Sequence, residues 1–144
     1  MNDIIEAKKV FKYRIEVLRQ FDFAGKEWQQ AIWPIPKQVN RYVWIANLGE
    51  YDGGHNKLSE DGLTFTDRRE PKTPGADSYG THHNTEIERI LFLKTLRFGG
   101  TIFEFEGVFK PDVQKSVRNV SVWERVSHKC SLPDGSWQTS DVSK

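Results

Sequence analysis

The stretch Glu86-Ile87-Glu88-Arg89-Ile90-Leu91-Phe92-Leu93-Lys94-Thr95-Leu96-Arg97-Phe98-Gly99-Gly100-Thr101-Ile102-Phe103-Glu104-Phe105-Glu106-Gly107-Val108-Phe109 decides how this chain is read. Ile90 to Leu93 is an unbroken apolar run between Arg89 and Lys94, the pattern of a central strand covered on both faces. Arg97-Phe98-Gly99-Gly100 supplies the reversal, because glycine reaches the positive φ of hairpin turns at little steric cost. The return strand alternates. Phe103, Phe105 and Phe109 mark its core face, and Glu104 and Glu106 mark a face expected to be wet or paired.

Working outward, the N-terminal side reads as helical. Asp3 and Glu6 have capping-box spacing, and Ile4, Ala7, Phe11, Ile15 and Leu18 follow at helical intervals, predicting an amphipathic helix that ends near Phe21 to Gly25. A second short helix is expected around Trp28, Ala31 and Ile32, stopped by Pro34 and Pro36. Strands are expected at Tyr42 to Ala46, Leu63 to Thr66 and Val120 to Val126. Polar loops are expected at Gly49 to Asp61, Asp67 to Asn84 and Pro111 to Asn119. The sum is an α+β domain: a small β-barrel of five to seven strands with flanking N-terminal helices. Its boundaries are 1–130 for a single domain, with 1–36 helical, 41–126 the barrel, and 131–144 a tail or linker.

A chain of 144 residues that is 37% hydrophobic fits one domain with a real core. No apolar run approaches a membrane span, and the charged N-terminus is unlike a signal peptide, so a cytoplasmic protein is the default expectation. The single cysteine, Cys130, excludes an intrachain disulfide framework and an all-cysteine metal site. The net charge of +1 says little about nucleic acid, so the distribution matters more. Basic residues gather at Lys110, Lys115, Arg118, Arg125 and Lys129, and again at Arg68, Arg69 and Lys72. Ordinary mixed-sign surface also looks like this.

No catalytic apparatus is visible. His82 and His83 point opposite ways on an extended chain and lack a third ligand at diagnostic spacing, so no metal site and no cofactor are assigned. Glu104 and Glu106 could form a catalytic carboxylate pair, yet alternation of Glu with Phe also describes a solvent-facing strand. Cys130 beside His128 makes no credible nucleophile. Five tryptophans need a large core or a surface that stacks on something flat. Tyr51 and Phe65 flank one acidic loop with Asp52 beside Tyr51, a set suited to stacking a planar base while a carboxylate accepts from its exocyclic amine. Trp44 is a third candidate wall, although core packing is its first reading.

The order Gly49-Glu50-Tyr51-Asp52, Glu60-Asp61-Gly62-Leu63-Thr64-Phe65-Thr66, Asn84 ahead of the Ile90 strand, Phe105-Glu106-Gly107-Val108-Phe109 and Val122-Trp123-Glu124-Arg125 resembles the SRA domain, a PUA-like barrel that flips 5-methylcytosine out of DNA. Phe65 to Val126 is also similar to PUA-like modules fused to restriction helicases and HNH nucleases. The resemblance spans Tyr42 to Val126. It implies Tyr51 and Phe65 as stacking aromatics, with phenylalanine where the family usually has tyrosine, and Asp52 as the base-edge acceptor. Asp67-Arg68-Arg69-Glu70 replaces a glycine-rich segment of the family. The implied function is a reader of 5-methylcytosine or 5-hydroxymethylcytosine in double-stranded DNA, the specificity domain of a modification-dependent restriction system. Arg68, Arg69, Lys110, Lys115 and Arg118 are the expected phosphate contacts, and a nuclease or helicase domain is the expected partner. A small metal-dependent nuclease or hydrolase, and a PUA-like module binding RNA or protein, are the alternatives.

Overall fold

In a computed structural model, the structure describes residues 3–51, 54–69, 86–97, 99–116 and 119–138, with Glu50, Tyr51, Gly54 and Arg69 described by backbone alone. In chain order the elements are β1 (Ile4–Glu6), β2 (Val10–Phe11), α1 (Arg14–Arg19), β3 (Ile32–Pro34), β4 (Arg41–Asn47), β5 (Gly49–Tyr51), β6 (Gly54–Leu58), β7 (Thr64–Arg69), β8 (Glu88–Arg97), β9 (Gly100–Pro111), β10 (Val120–Ser127) and β11 (Lys129–Ser131). One large sheet runs in the order β3-β4-β8-β9-β10-β7-β6-β5, with β2 added to β9, while β1 and β11 form a separate ribbon.

The β8–β9 hairpin lies at the middle of this sheet, as the sequence predicts. Its register runs from Arg89 opposite Phe109 to Arg97 opposite Gly100, and Gly99 takes the positive φ of 81° that the reversal needs. Phe98 lies outside the described residues. The Ile90 to Leu93 run is apolar throughout because it serves two cores. Ile90 and Phe92 join Val43, Ile45, Phe105 and Val17 in one core; Leu91 and Leu93 join Trp44, Phe65, Phe109 and Trp123 in the other. β4 pairs parallel with β8 and shares this two-faced burial, as parallel strands commonly do.

The sheet is open, since β3 and β5 end it without meeting; the expected closed barrel is not formed. It is nonetheless strongly curled. β4 and β7 are four strand steps apart, about 19 Å if the sheet were flat, yet the Trp44 and Phe65 rings meet at 5.1 Å. Bending is concentrated in β9, where the register shifts between Leu91 and Phe92 and Gly107 adopts φ 124°. A Cβ there would lie 2.6 Å from the Ser127 carbonyl oxygen. A bulge at glycine lets one long strand leave the β8 side and join β10.

The expected N-terminal helices and the expected loop at 49–61 are corrected. The flanking helices are not formed: among the described residues of the N-terminal region helix is limited to Arg14–Arg19, and residues 4–6 and 32–34 are strands. The hydrogen bonds come from far along the chain, with Ile5 opposite Cys130 and Phe11 opposite Phe103, so tertiary pairing overrides local helical periodicity. The polar stretch 49–61 is largely a hairpin, β5 pairing with β6. Residues 131–138 pack down: Leu132 is buried, Trp137 lies against the first core, and the Asp134 carbonyl accepts from Arg41 at 3.2 Å. Of the two expectations for Glu104 and Glu106, wet or paired, the second holds. Both are buried and paired with Lys8.

Candidate nucleic-acid interface

Residue pairing across β6, β7 and β10 builds an inward face in two adjacent rows. Leu58, Phe65 and Trp123 lie side by side in register, as do Asn56, Asp67 and Ser121. The first row is aromatic and closes the second core, where Trp44 meets Phe65 at 5.1 Å and Trp123 at 5.2 Å, edge to face in both cases. The second row is polar and buried, with Asn56 4%, Asp67 0% and Ser121 1% exposed. Two residues on one strand share a face only when an even number apart, so the polar row follows from Phe65 being inside.

Each polar group has a defined orientation. Trp123 Nε1–H donates to Ser121 Oγ at 2.9 Å. Asn56 Nδ2–H donates to the Asn47 carbonyl at 2.7 Å, which turns Oδ1 the other way, buried and accepting no hydrogen bond. A buried acceptor left in that state costs about 1–3 kcal/mol, so it marks a place where a donor is wanted. Arg89 lies at the floor, its guanidinium 4.6 Å from the Trp44 ring centroid and 4.3 Å from that of Trp123. The hairpin carrying Tyr51 is next to these rows, because β6 pairs with β7 on one side and with β5 on the other, Tyr51 opposite Gly54.

The expected pocket residues are therefore placed as follows. Trp44 and Phe65 meet in the second core and are 1% and 0% exposed. Tyr51 ends β5, one strand beyond β6. Asp52 lies outside the described residues, as do His82, His83 and Arg118. Of the expected phosphate contacts, Arg68 and Lys110 project from the outer face: Arg68 is in register with Val120 and Lys110 with Glu124, both alternating with the inward Ser121 and Trp123. Lys115 joins Lys110 there, 3.4 Å from Glu124 and 3.9 Å from Asp112. Arg68 and Lys110 are thus on the face of these strands opposite the aromatic row.

Asn56, Asp67, Ser121 and Arg89 were not singled out from sequence. Asp67 had a signal, its place two residues after Phe65. Asn56 and Ser121 had none, because their inward direction depends on strand register. For the alternative chemistry, no group of three metal-ligating side chains occurs among the described residues, and burial pushes the Cys130 thiol up to about 12, leaving it protonated and inert. No helix among the described residues is long and apolar enough to cross a membrane.

The curled sheet and its strand order give a PUA-like fold, and the family model of the SRA (SET and RING associated) domain matches residues 2–132. The chain belongs to the SRA family. Its fold is shared with the solved structure titled "The 5-Hydroxymethylcytosine-Specific Restriction Enzyme AbaSI", with a TM-score of 0.71 and 20% identity over 89% of this chain. This chain spans 42% of the length of that one. No curated protein matches it.

Proposed function

We propose that this chain reads a modified cytosine in double-stranded DNA by taking the base out of the helix, and that it is the specificity domain of a modification-dependent restriction system. SRA membership and the fold shared with a restriction enzyme specific for 5-hydroxymethylcytosine support the class. The observation that carries the reading is the buried Asn56 Oδ1, an acceptor without a donor in the row next to that of Phe65. Cytosine presents an N4 amine to such an acceptor, whereas thymine presents a carbonyl. Extrusion costs a few kcal/mol of lost stacking, which a site of flat rings and oriented polar groups returns. In this reading Tyr51 and Phe65 stack on the base, Asp52 and Asn56 hold its amine edge, and Trp44 backs Phe65.

The polar row also bears on the modification. A methyl group gains only about 0.8 kcal/mol from apolar contact, but a hydroxymethyl group can hydrogen-bond to Asp67 or Ser121. 5-Hydroxymethylcytosine is therefore expected ahead of 5-methylcytosine, with plain cytosine last. Fluorescence anisotropy on one duplex carrying cytosine, 5-methylcytosine, 5-hydroxymethylcytosine or glucosylated cytosine tests this. Tyr51→Ala, Asp52→Ala and Asn56→Ala should each lose the preference and keep the weak affinity for all duplexes. Equal binding of all four duplexes by the parent would remove the reading, and undiminished preference in all three variants would move the pocket elsewhere. A nuclease domain, alone or with a helicase domain, in the same or a partner chain, would convert recognition into cleavage.

A further inference from the structure

A second polar cluster lies away from the aromatic row, where the N-terminal strands meet β9. The Glu106 side chain is 2% exposed and its Oε1 accepts from Lys8 Nζ at 2.8 Å. Its other oxygen, Oε2, is buried and accepts nothing, while the Glu104 carboxyl gathers at the same ammonium, its Oε2 3.7 Å from Lys8 Nζ. Two ionised carboxylates cannot hydrogen-bond to each other; one proton between them turns the same contact into a bond. Glu104 is held in turn by Arg97 from β8 at 3.1 Å and by Lys8 at 3.7 Å. From β10, Arg125 donates to the Glu106 carbonyl at 3.3 Å and also feels Asp61.

Lys8 reaches the pair from the turn between β1 and β2, at φ 81°, a conformation non-glycine residues adopt at a cost. That turn is tied to β9 by the Lys8 N–H on the Phe105 carbonyl at 2.7 Å and the Phe105 N–H on the Lys9 carbonyl at 2.8 Å. Residues 3–11 thus form a strap over the carboxyl pair, closed on the other side by β11.

We propose that Glu104 and Glu106 share one proton, and that this proton and Lys8 together latch the strap of residues 3–11 onto β9, so that the strap is held most firmly in mild acid and loosens as the pair ionises toward neutral pH. Burial is the main influence on Glu106, raising its carboxyl to about 7; Lys8 pulls the other way and Glu104 adds to the rise. Full ionisation would leave a second buried charge whose Oε2 has no donor, and hydrating it requires the strap to lift. Lys8 opposes this only in part, since at 63% exposure its charge is screened by water. The unfolded chain gives up this proton near 4.5 and the folded chain near 7. Stability therefore falls as pH rises between those values and is level above them.

Carbon-13 titration of the glutamate carboxyls, with amide exchange of residues 3–11 corrected for hydroxide catalysis, tests the latch. One carboxyl should titrate near neutrality, and strap protection should fall about tenfold between pH 6 and 9, a linked loss of one proton. Glu106→Gln keeps the shape and donates to Glu104 from its amide, so its protection should no longer depend on pH. Lys8→Met should move the neutral midpoint upward. The latch is wrong if both carboxyls titrate in the ordinary range, or if Glu106→Gln shows the parent's pH dependence.

Discussion

Arg89 is buried, 8% exposed, with its guanidinium carbon over both the Trp44 and the Trp123 rings. A desolvated cation on an aromatic face contributes about 2 kcal/mol or more, and a planar guanidinium can stack where a compact ammonium cannot. Arg89→Lys is therefore expected to lower stability by about 1–2 kcal/mol in urea unfolding despite retaining the charge. Stability equal to the parent would mean that stacking contributes nothing and that Arg89 serves only its other contacts. The same residue links core to site, because the rings it holds are those that back Phe65.

At the level of elements, β9 is the strand on which the rest is assembled: β8, β2 and β10 all pair with it. Phe105, 0% exposed and 5.3 Å from the Phe92 ring, should cost about 3–5 kcal/mol when cut to alanine. Its amide and those of Ile90 to Leu93 should be the slowest to exchange. The C-terminal segment offers a sharper test. If residues 131–138 were a solvated tail, Leu132→Ala would be nearly neutral. With Leu132 buried in the first core and its N–H on the Asp3 carbonyl at 2.7 Å, the expected loss is about 2–4 kcal/mol by denaturant unfolding.

For the whole molecule, charge is a matter of placement. With a net charge of +1, any attraction to DNA must come from local patches such as the outer face carrying Arg68 and Lys110. If Lys110 touches phosphate, Lys110→Gln should weaken binding to all four duplexes alike and make the logarithmic salt dependence shallower by about one unit. Lys115, already engaged with Glu124 and Asp112, should change the slope less. Affinity independent of salt in the parent would exclude backbone contact by this face.

How much was legible in the sequence depends on the range of the interactions that decide each feature. The hairpin between Glu86 and Phe109, strands at 42–46, 64–66 and 120–126, and the family resemblance were legible, because alternation, apolar runs and paired glycines act within a few residues, whereas residues 67–69, expected in a loop, continue β7. The N-terminal strands were not. Ile4 to Leu18 carries helical spacing, and only the pairing of Ile5 with Cys130 and of Phe11 with Phe103 makes strands of residues 4–6 and 10–11. Glu104 and Glu106 looked solvent-facing because alternation tells the two faces of a strand apart but does not say what covers the second. Asn56 and Ser121 became part of the candidate site only through register, which sets two residues 65 positions apart on either side of Asp67. Local pattern determined which segments could be strands. Long-range pairing alone decided which of their polar side chains are buried, and so where a base could be read.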